Sequence, residues 1–313
     1  VPYLGIDIGG TKVALLLERP DYAHPVRLRF SWPRDGDADA DLDALASAVT
    51  RIAADAHLDG LTGIRAAGLA LPATVREGRI TAWPSRPSWT ALRLDAVLER
   101  VLPGVPVVRE DDGNLAALAE AARSGVPDLA YLGLGTGVGG GIVLGGRLHT
   151  GPSGGAAEIG HMLIDPGGAA CVCGRTGCLQ AVASGTATLL RAAVLRGAPV
   201  DAAAFRTGLA EGRPWATGPL WQTAAALAVT AVNLGELLQC REIRVGGGFG
   251  HGTPGLIGRI RAETRRLTRP GVVPPAIRRA AHGADASLHG AVLLARTGGT
   301  ARPAGTRAGR PSS

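Results

Sequence analysis

Side chains that bind soft metal ions crowd one short stretch, EIGHMLIDPGGAACVCGRTGCLQ from Glu158 to Gln180. It holds three of the four cysteines, Cys171, Cys173 and Cys178, with His161 just upstream. A Cys-x-Cys-x4-Cys run with one nearby histidine is a donor set for tetrahedral structural zinc. Gly167, Gly168, Gly174 and Gly177 let the loop fold tightly around an ion. Zinc would fix the imidazole of His161 and, with it, the backbone that carries Glu158. The plainer alternative is a set of buried free thiols. Clustered cysteines in a chain of intracellular aspect favour metal over a disulfide. Cys240 stands alone at the end of an apolar run and is expected in the core.

Three further segments could handle phosphate or a proton. The segment Asp7-Ile-Gly9-Gly10-Thr11-Lys12 offers a carboxylate, a tight turn, a hydroxyl and the sole lysine of the chain. Asp7 could hold Mg2+ through water while Thr11 and Lys12 meet phosphate oxygens. No GxxxxGK[ST] run exists, so this is not a P-loop. An ordinary β-turn is the competing explanation. The segment Gly135-Thr136-Gly137-Val-Gly139-Gly-Gly141 matches GxGxxG by letter, but Ile142-Val-Leu and a Gly-Gly turn follow where a dinucleotide site needs a helix. A hairpin is therefore expected, with amides and Thr136 able to cradle a phosphate or with no ligand at all. Glu110-Asp111-Asp112-Gly-Asn114 sits between a strand and a helix. A carboxylate there either caps the helix or serves as base for a hydroxyl.

The elements that must position these groups follow from apolar spacing. Strands are predicted at 3–7, 13–17, 64–71, 105–108, 129–134, 142–144 and 243–245. Helices are predicted at 37–58, 92–102, through 122, 186–195, 215–238 and 286–295. The turns near residues 9 and 137 each lie between antiparallel strands in their own half, which implies a duplicated nucleotide-binding fold with a cleft between lobes. Residues 1–112 with 286–296 are expected to form a smaller lobe. Residues 113–285 form a larger one carrying the 158–180 loop, and 297–313 a disordered tail rich in Gly, Pro, Ser and Arg.

Composition excludes several classes. With 46% apolar residues the chain can bury a sizeable core. The formal charge of +7 comes largely from dispersed arginine. No basic helix is interleaved with aromatics, so no nucleic-acid partner is expected. The apolar run from Ala224 to Leu238 is broken by Asn233 and Glu236 and reads as a buried helix, not a membrane span. The opening VPYLGIDIGG lacks the marks of a secretory leader, and a cytoplasmic protein is expected.

Taken together, these motifs resemble the ROK family of repressors, open reading frames and sugar kinases, over nearly the whole chain from Tyr3 to Ala295. DIGGTK matches the family's phosphate motif, DDGNLAALAE its NDANAAALGE, GTGVGGGIV its second phosphate motif, AEIGH its GEIGH, and CVCGRTGCLQ its CxCGxxGCLE. VGGGFG, with Gly246, Gly247 and Gly248, matches the adenosine-side glycines. The resemblance implies an α/β, two-lobed actin-like ATPase (ribonuclease H-like) fold with duplicated mixed-sheet domains. It also implies ATP with Mg2+, and a hexose facing a zinc loop. Asp112 falls on the catalytic base. Asp7, Gly9, Gly10, Thr11, Lys12, Gly135, Thr136, Gly137 and Gly139 fall on the phosphate side. Asp111, Glu158, His161 and Gln180 fall on the sugar side. Members are commonly homodimers or homotetramers. Family repressors carry a helix-turn-helix region ahead of the ATPase-like part, and this chain reaches DIGGTK by residue 7. An ATP-dependent sugar 6-kinase is therefore expected over a non-catalytic sugar sensor.

Three positions depart from the pattern. Asp111 stands where the family has asparagine, Gln180 where it has glutamate, and Ala157 where it has glycine, this last expected to be a minor change. An amide donates and accepts, whereas an ionised carboxylate only accepts. Asp111 beside Asp112 places two negative charges at one sugar edge, which a substrate ammonium would offset. The expected substrate is therefore an amino sugar with its amine near Asp111, best matched by kanosamine (3-amino-3-deoxyglucose). Glucose with a tolerated aspartate is the alternative, and N-acetylmannosamine a further one.

Overall fold

The computed structural model describes residues 1–33, 37–83, 85–151 and 157–298. The chain runs β1 (Tyr3–Ile8), β2 (Lys12–Glu18), β3 (Val26–Ser31), α1 (Ala38–Asp55), β4 (Ala66–Ala70), β5 (Thr74–Arg76), β6 (Arg79–Ala82), α2 (Leu94–Val101), β7 (Val107–Glu110) and α3 (Asp112–Ser124). It continues through β8 (Leu129–Leu134), β9 (Val138–Leu144), β10 (Arg147–Leu148), α4 (Leu179–Ala183), α5 (Gly185–Arg196), α6 (Ala202–Ala210) and α7 (Pro214–Leu238). Then come β11 (Glu242–Gly246), α8 (Gly247–Gly252), α9 (Leu256–Leu267), β12 (Ala276–Arg279) and α10 (Ala286–Arg296). Two compact units result: Val1–Ala119 joined by the chain from Ser287, and Glu120–Ala286.

In the first unit the sheet order is β3-β2-β1-β4-β7. β1 is antiparallel to β2 and parallel to β4, and β4 is parallel to β7. Strands covered on both faces carry near-continuous apolar runs, as Leu4, Ile6, Ile8, Leu15, Leu16 and Leu17 do, all at most 2% exposed. α1 opens on Asp37, whose side chain accepts from the Asp39 amide at 3.1 Å. It buries Leu42, Leu45, Val49 and Ile52, one face at helical spacing. α10 lies so close on β4 that a Cβ added to Gly68 would stand 1.8 Å from the Ala291 carbonyl oxygen. Only a residue without Cβ admits that approach.

In the second unit the order is β10-β9-β8-β11-β12, again an antiparallel hairpin followed by parallel strands. The duplication expected from the two glycine turns is thus present in the strand order. α7 buries residues on most of its circumference, including Ala224, Leu227, Ala231 and Leu234. Cys240 is buried among the same apolar residues. Among the described residues no helix is long and apolar enough to cross a membrane.

Several elements differ from the sequence expectation. β3, β5, β6, β10, β12, α4, α6, α8 and α9 carry no counterpart in it. β9 begins at Val138, so Gly139, Gly140 and Gly141 are strand residues paired with Gly133, Leu132 and Tyr131, not part of a long turn. The break expected at 112/113 falls instead after Ala119, inside α3. Leu115 and Leu118 on the first turns of that helix pack with Ala70, Ala291 and Leu294 of the first unit. Residues 299–313 of the expected tail lie outside the described residues.

Candidate functional site

The first unit gathers the Asp7–Lys12 segment and the Asp111–Asp112 pair. The β1–β2 turn closes with the Gly9 amide donating to the Lys12 carbonyl at 2.9 Å. Thr11 and Lys12 are exposed, and the Lys12 ammonium has no side-chain partner among the described residues. Asp7 accepts a 2.5 Å hydrogen bond from Ser287 Oγ at the head of α10. At the end of β7, Asp111 is the cap of α3. Its Oδ1 accepts from the Gly113 amide at 2.9 Å and its carbonyl accepts from the Leu115 amide at 3.0 Å. Glu110 supports the cap, accepting from the Asp111 amide at 2.9 Å and from Asn114 Nδ2 at 3.2 Å. Capping therefore falls on Asp111. Asp112 stands exposed in the first helical turn, its carboxylate without a side-chain partner among the described residues. An uncommitted carboxylate at a helix start can accept a proton.

The second unit holds the other hairpin. Between β8 and β9 the Gly135 amide donates to the Gly137 carbonyl at 3.0 Å, and the Gly135 carbonyl accepts from the Gly185 amide at 2.8 Å, which ties the turn to the start of α5. Gly246 ends β11, and Gly247, at φ +74°, turns the chain into α8. A cavity of about 300 Å³ opens here. Gly135, Thr136, Arg206 and Gly248 line it together with Leu189, Phe205 and Phe249. Backbone and hydroxyl donors beside apolar and aromatic side chains suit a phosphorylated aromatic ligand. Phe205 comes from α6, which the sequence reading missed. The signal was Asp201, whose side chain caps α6 by accepting from the Ala204 amide at 2.7 Å.

The cysteine loop brings its candidate ligands together. One ligand atom from each of His161, Cys171, Cys173 and Cys178 lies within 4.8 Å of all the others. Cys171 Sγ is 3.9 Å from His161 Nδ1, and Cys173 Sγ is 3.6 Å from Cys178 Sγ. Ligands at zinc-bonding distance in a tetrahedron stand about 3.3–3.8 Å apart, so the donor set fits zinc after a small contraction. The Arg175 amide, then its guanidinium, hold the Cys173 thiol down at about 6. Burial pushes Cys178 up to about 11. With Nδ1 turned to the cysteines, His161 has Nε2 left for another partner. The loop is pressed on β9: a Cβ on Gly160 would stand 2.0 Å from the Val138 carbonyl oxygen.

Two of the three departures change meaning in the structure. Gln180 begins α4's second position with its amide spent inside the protein. Nε2 donates to Cys171 Sγ at 3.4 Å, and Oε1 accepts from the Val138 amide at 3.5 Å. Ala157 is not a minor change: it sits at φ +71°, where a Cβ is strained and glycine is not. Glu158, directly after it, is exposed and without a side-chain partner among the described residues.

The chain is similar to known proteins over nearly its whole length. The chain is similar to a kanosamine kinase from Amycolatopsis mediterranei, at 44% identity over 94% of this chain and 96% of that one. It is similar to an N-acetylmannosamine kinase from Escherichia coli O1:K1, at 34% identity over 93% of this chain and 97% of that one. Among solved structures it resembles a ROK hexokinase from Thermus thermophilus, with a TM-score of 0.83 at 32% identity over 95% of this chain and 98% of that one. It also resembles a ROK family glucokinase from Streptomyces griseus in complex with glucose and AMPPNP, with a TM-score of 0.78 at 29% identity over 95% and 100% of the two chains. These neighbours carry the actin-like ATPase fold that the two mixed sheets display. With residues 3–298 matched, the chain belongs to the ROK family.

Proposed function

We propose that this protein transfers the γ-phosphate of ATP to the 6-hydroxyl of an amino hexose, kanosamine fitting best. The chain is an ATP-dependent sugar kinase, and ATP and Mg2+ go with that activity. The observation that carries the finer reading is the pair Asp111–Asp112. One carboxylate caps α3 and the next is uncommitted. Two adjacent carboxylates favour a cationic ligand over a neutral one, and the 44% identity to a kanosamine kinase supports the same substrate.

Asp112 accepts the proton of the 6-hydroxyl as that oxygen bonds to the γ-phosphorus. The bond from the γ-phosphorus to the β-phosphate oxygen breaks, and ADP leaves with that electron pair. Because such transition states are loose, alignment and charge neutralisation matter more than early proton removal. Each unit offers phosphate-binding groups: Thr11, Lys12 and the turn amides in the first, Thr136 and the turn amides in the second. Asp7, oriented by Ser287, is the carboxylate for hydrated Mg2+, which would neutralise charge on the transferred group. The cavity lined by Leu189, Phe205, Gly248 and Phe249 takes the adenosine, with Gly246 and Gly247 just ahead of Gly248 in the chain. Glu158 and His161 Nε2 hold sugar hydroxyls. Cys171, Cys173, Cys178 and His161 Nδ1 would hold structural Zn2+, which would fix the orientation of the imidazole.

The test is ADP release with Mg-ATP across kanosamine, glucose, glucosamine, mannose and N-acetylmannosamine, compared as kcat/KM. Kanosamine should lead. A lead for glucose would make Asp111 a tolerated variant and the protein a glucokinase; no turnover with any of the five would remove the kinase reading for these sugars.

A further inference from the structure

The carbonyl side of the Gly9–Lys12 turn is tied to a buried ion pair. Trp32 Nε1 donates to the Gly9 carbonyl at 2.7 Å, Arg86 Nε donates to the Gly10 carbonyl at 3.3 Å, and the Trp32 amide donates to the Thr11 carbonyl at 3.3 Å. Three successive carbonyls of the turn are thus engaged. Arg86 is itself held: NH1 donates to both oxygens of Asp41 at 3.1 Å, and its guanidinium lies over the Trp32 ring, 5.0 Å from the centroid. Asp41, on α1, is wholly buried and also accepts from Trp89 Nε1 at 2.9 Å. The Arg86 side chain is 11% exposed.

In a trans peptide the C=O and the following N–H lie in one plane and point opposite ways. Holding the carbonyls of residues 9, 10 and 11 therefore fixes the directions of the amides of Gly10, Thr11 and Lys12. A buried ion pair is weak evidence for stability, since desolvation offsets its attraction. Its geometry here serves a direction: one planar guanidinium reaches Asp41 with NH1 and the turn with Nε, which a lysine ammonium cannot do.

We propose that Arg86, held by Asp41 and stacked on Trp32, is a positioning residue for phosphoryl transfer that aims the Gly10–Lys12 amides at the phosphates. The inference rests on the reading of this turn as phosphate-holding. Arg86→Lys is the informative variant, because it keeps a cation beside Asp41 and loses the link to Gly10. Amide hydrogen exchange of the segment 8–12 in the ligand-free protein should quicken, while the melting temperature stays near that of the wild type. The kcat/KM for ATP should fall about 10- to 100-fold, the range a misplaced reacting group costs, with the sugar KM unchanged. The double variant Asp41→Asn, Arg86→Met removes the buried charges and should restore the melting temperature lost in Arg86→Ala without restoring kcat/KM for ATP. Exchange and kinetics unchanged in Arg86→Lys would overturn the proposal, as would kinetic recovery in the double variant. If the wild type turned over no sugar, the kinase reading would fail, while the exchange comparison would still decide whether Arg86 holds the turn.

Discussion

Replacing Asp111 with asparagine separates substrate choice from stability. The structure assigns Asp111 a capping bond, its Oδ1 accepting from the Gly113 amide at 2.9 Å. Asparagine caps about as well as aspartate. The helix loses the interaction of a negative charge with its N-terminus, about 0.3–1 kcal/mol, and the fold should survive. What the substitution removes is a charged acceptor for a substrate ammonium. A hydrogen bond to a charged group contributes about 1.5–3 kcal/mol, which at 1.4 kcal/mol per decade is about 10- to 150-fold in kcat/KM. Kanosamine turnover should fall by that factor. Glucose should hold or gain a few-fold, since an amide both donates to and accepts from a hydroxyl. The assay is ADP release with both sugars at saturating Mg-ATP, read as the ratio of the two kcat/KM values, with a thermal melt as control. A ratio unchanged within twofold, in a protein that melts normally, would refute the ammonium-partner argument.

Asp112→Asn should cut kcat about 10²- to 10⁴-fold, the range of a lost general base, with sugar binding retained by calorimetry; a loss below tenfold would point to another base. Cys178→Ser, at a fully buried ligand position, should abolish zinc retention through gel filtration, measured by elemental analysis. Gln180→Glu replaces the donor to Cys171 Sγ with a carboxylate facing thiolates, and zinc capture by a chelator should quicken by about 10- to 100-fold, as for other partners of metal ligands. Ala157→Gly relieves a residue at φ +71° and should raise stability by about 1 kcal/mol, seen as a higher denaturant midpoint; a lower midpoint would mean that the turn is not strained.

The parts of the site that the sequence revealed are those whose chemistry is local. A glycine turn carries its own φ angles, a Cys-x-Cys loop its own ligands and a helix cap its own carboxylate, so each could be read from a handful of neighbouring residues. Two of the missed elements, β3 and α9, carry arginines along an exposed face. β3, reading VRLRFS, alternates between half-buried and exposed positions and is a one-sided strand with arginines on its exposed face. α9 buries Leu256, Ile257, Ile260 and Thr264 at helical spacing behind a polar face crowded with Arg259, Arg261, Arg265 and Arg266.

What no local reading could reach is the direction in which a motif points. Asp41 and Arg86 are 45 positions apart, and neither belongs to a pattern that announces itself. Gln180 matches a motif position by alignment, yet its amide is committed to Cys171 Sγ and the Val138 amide. The same holds for Ala157, whose letter suggests nothing and whose backbone angle decides its cost. A motif names the groups that can do the chemistry. Their aim depends on partners distant in sequence, and in phosphoryl transfer, where alignment carries most of the rate, those partners are where variants of this enzyme should differ in activity without differing in any motif residue.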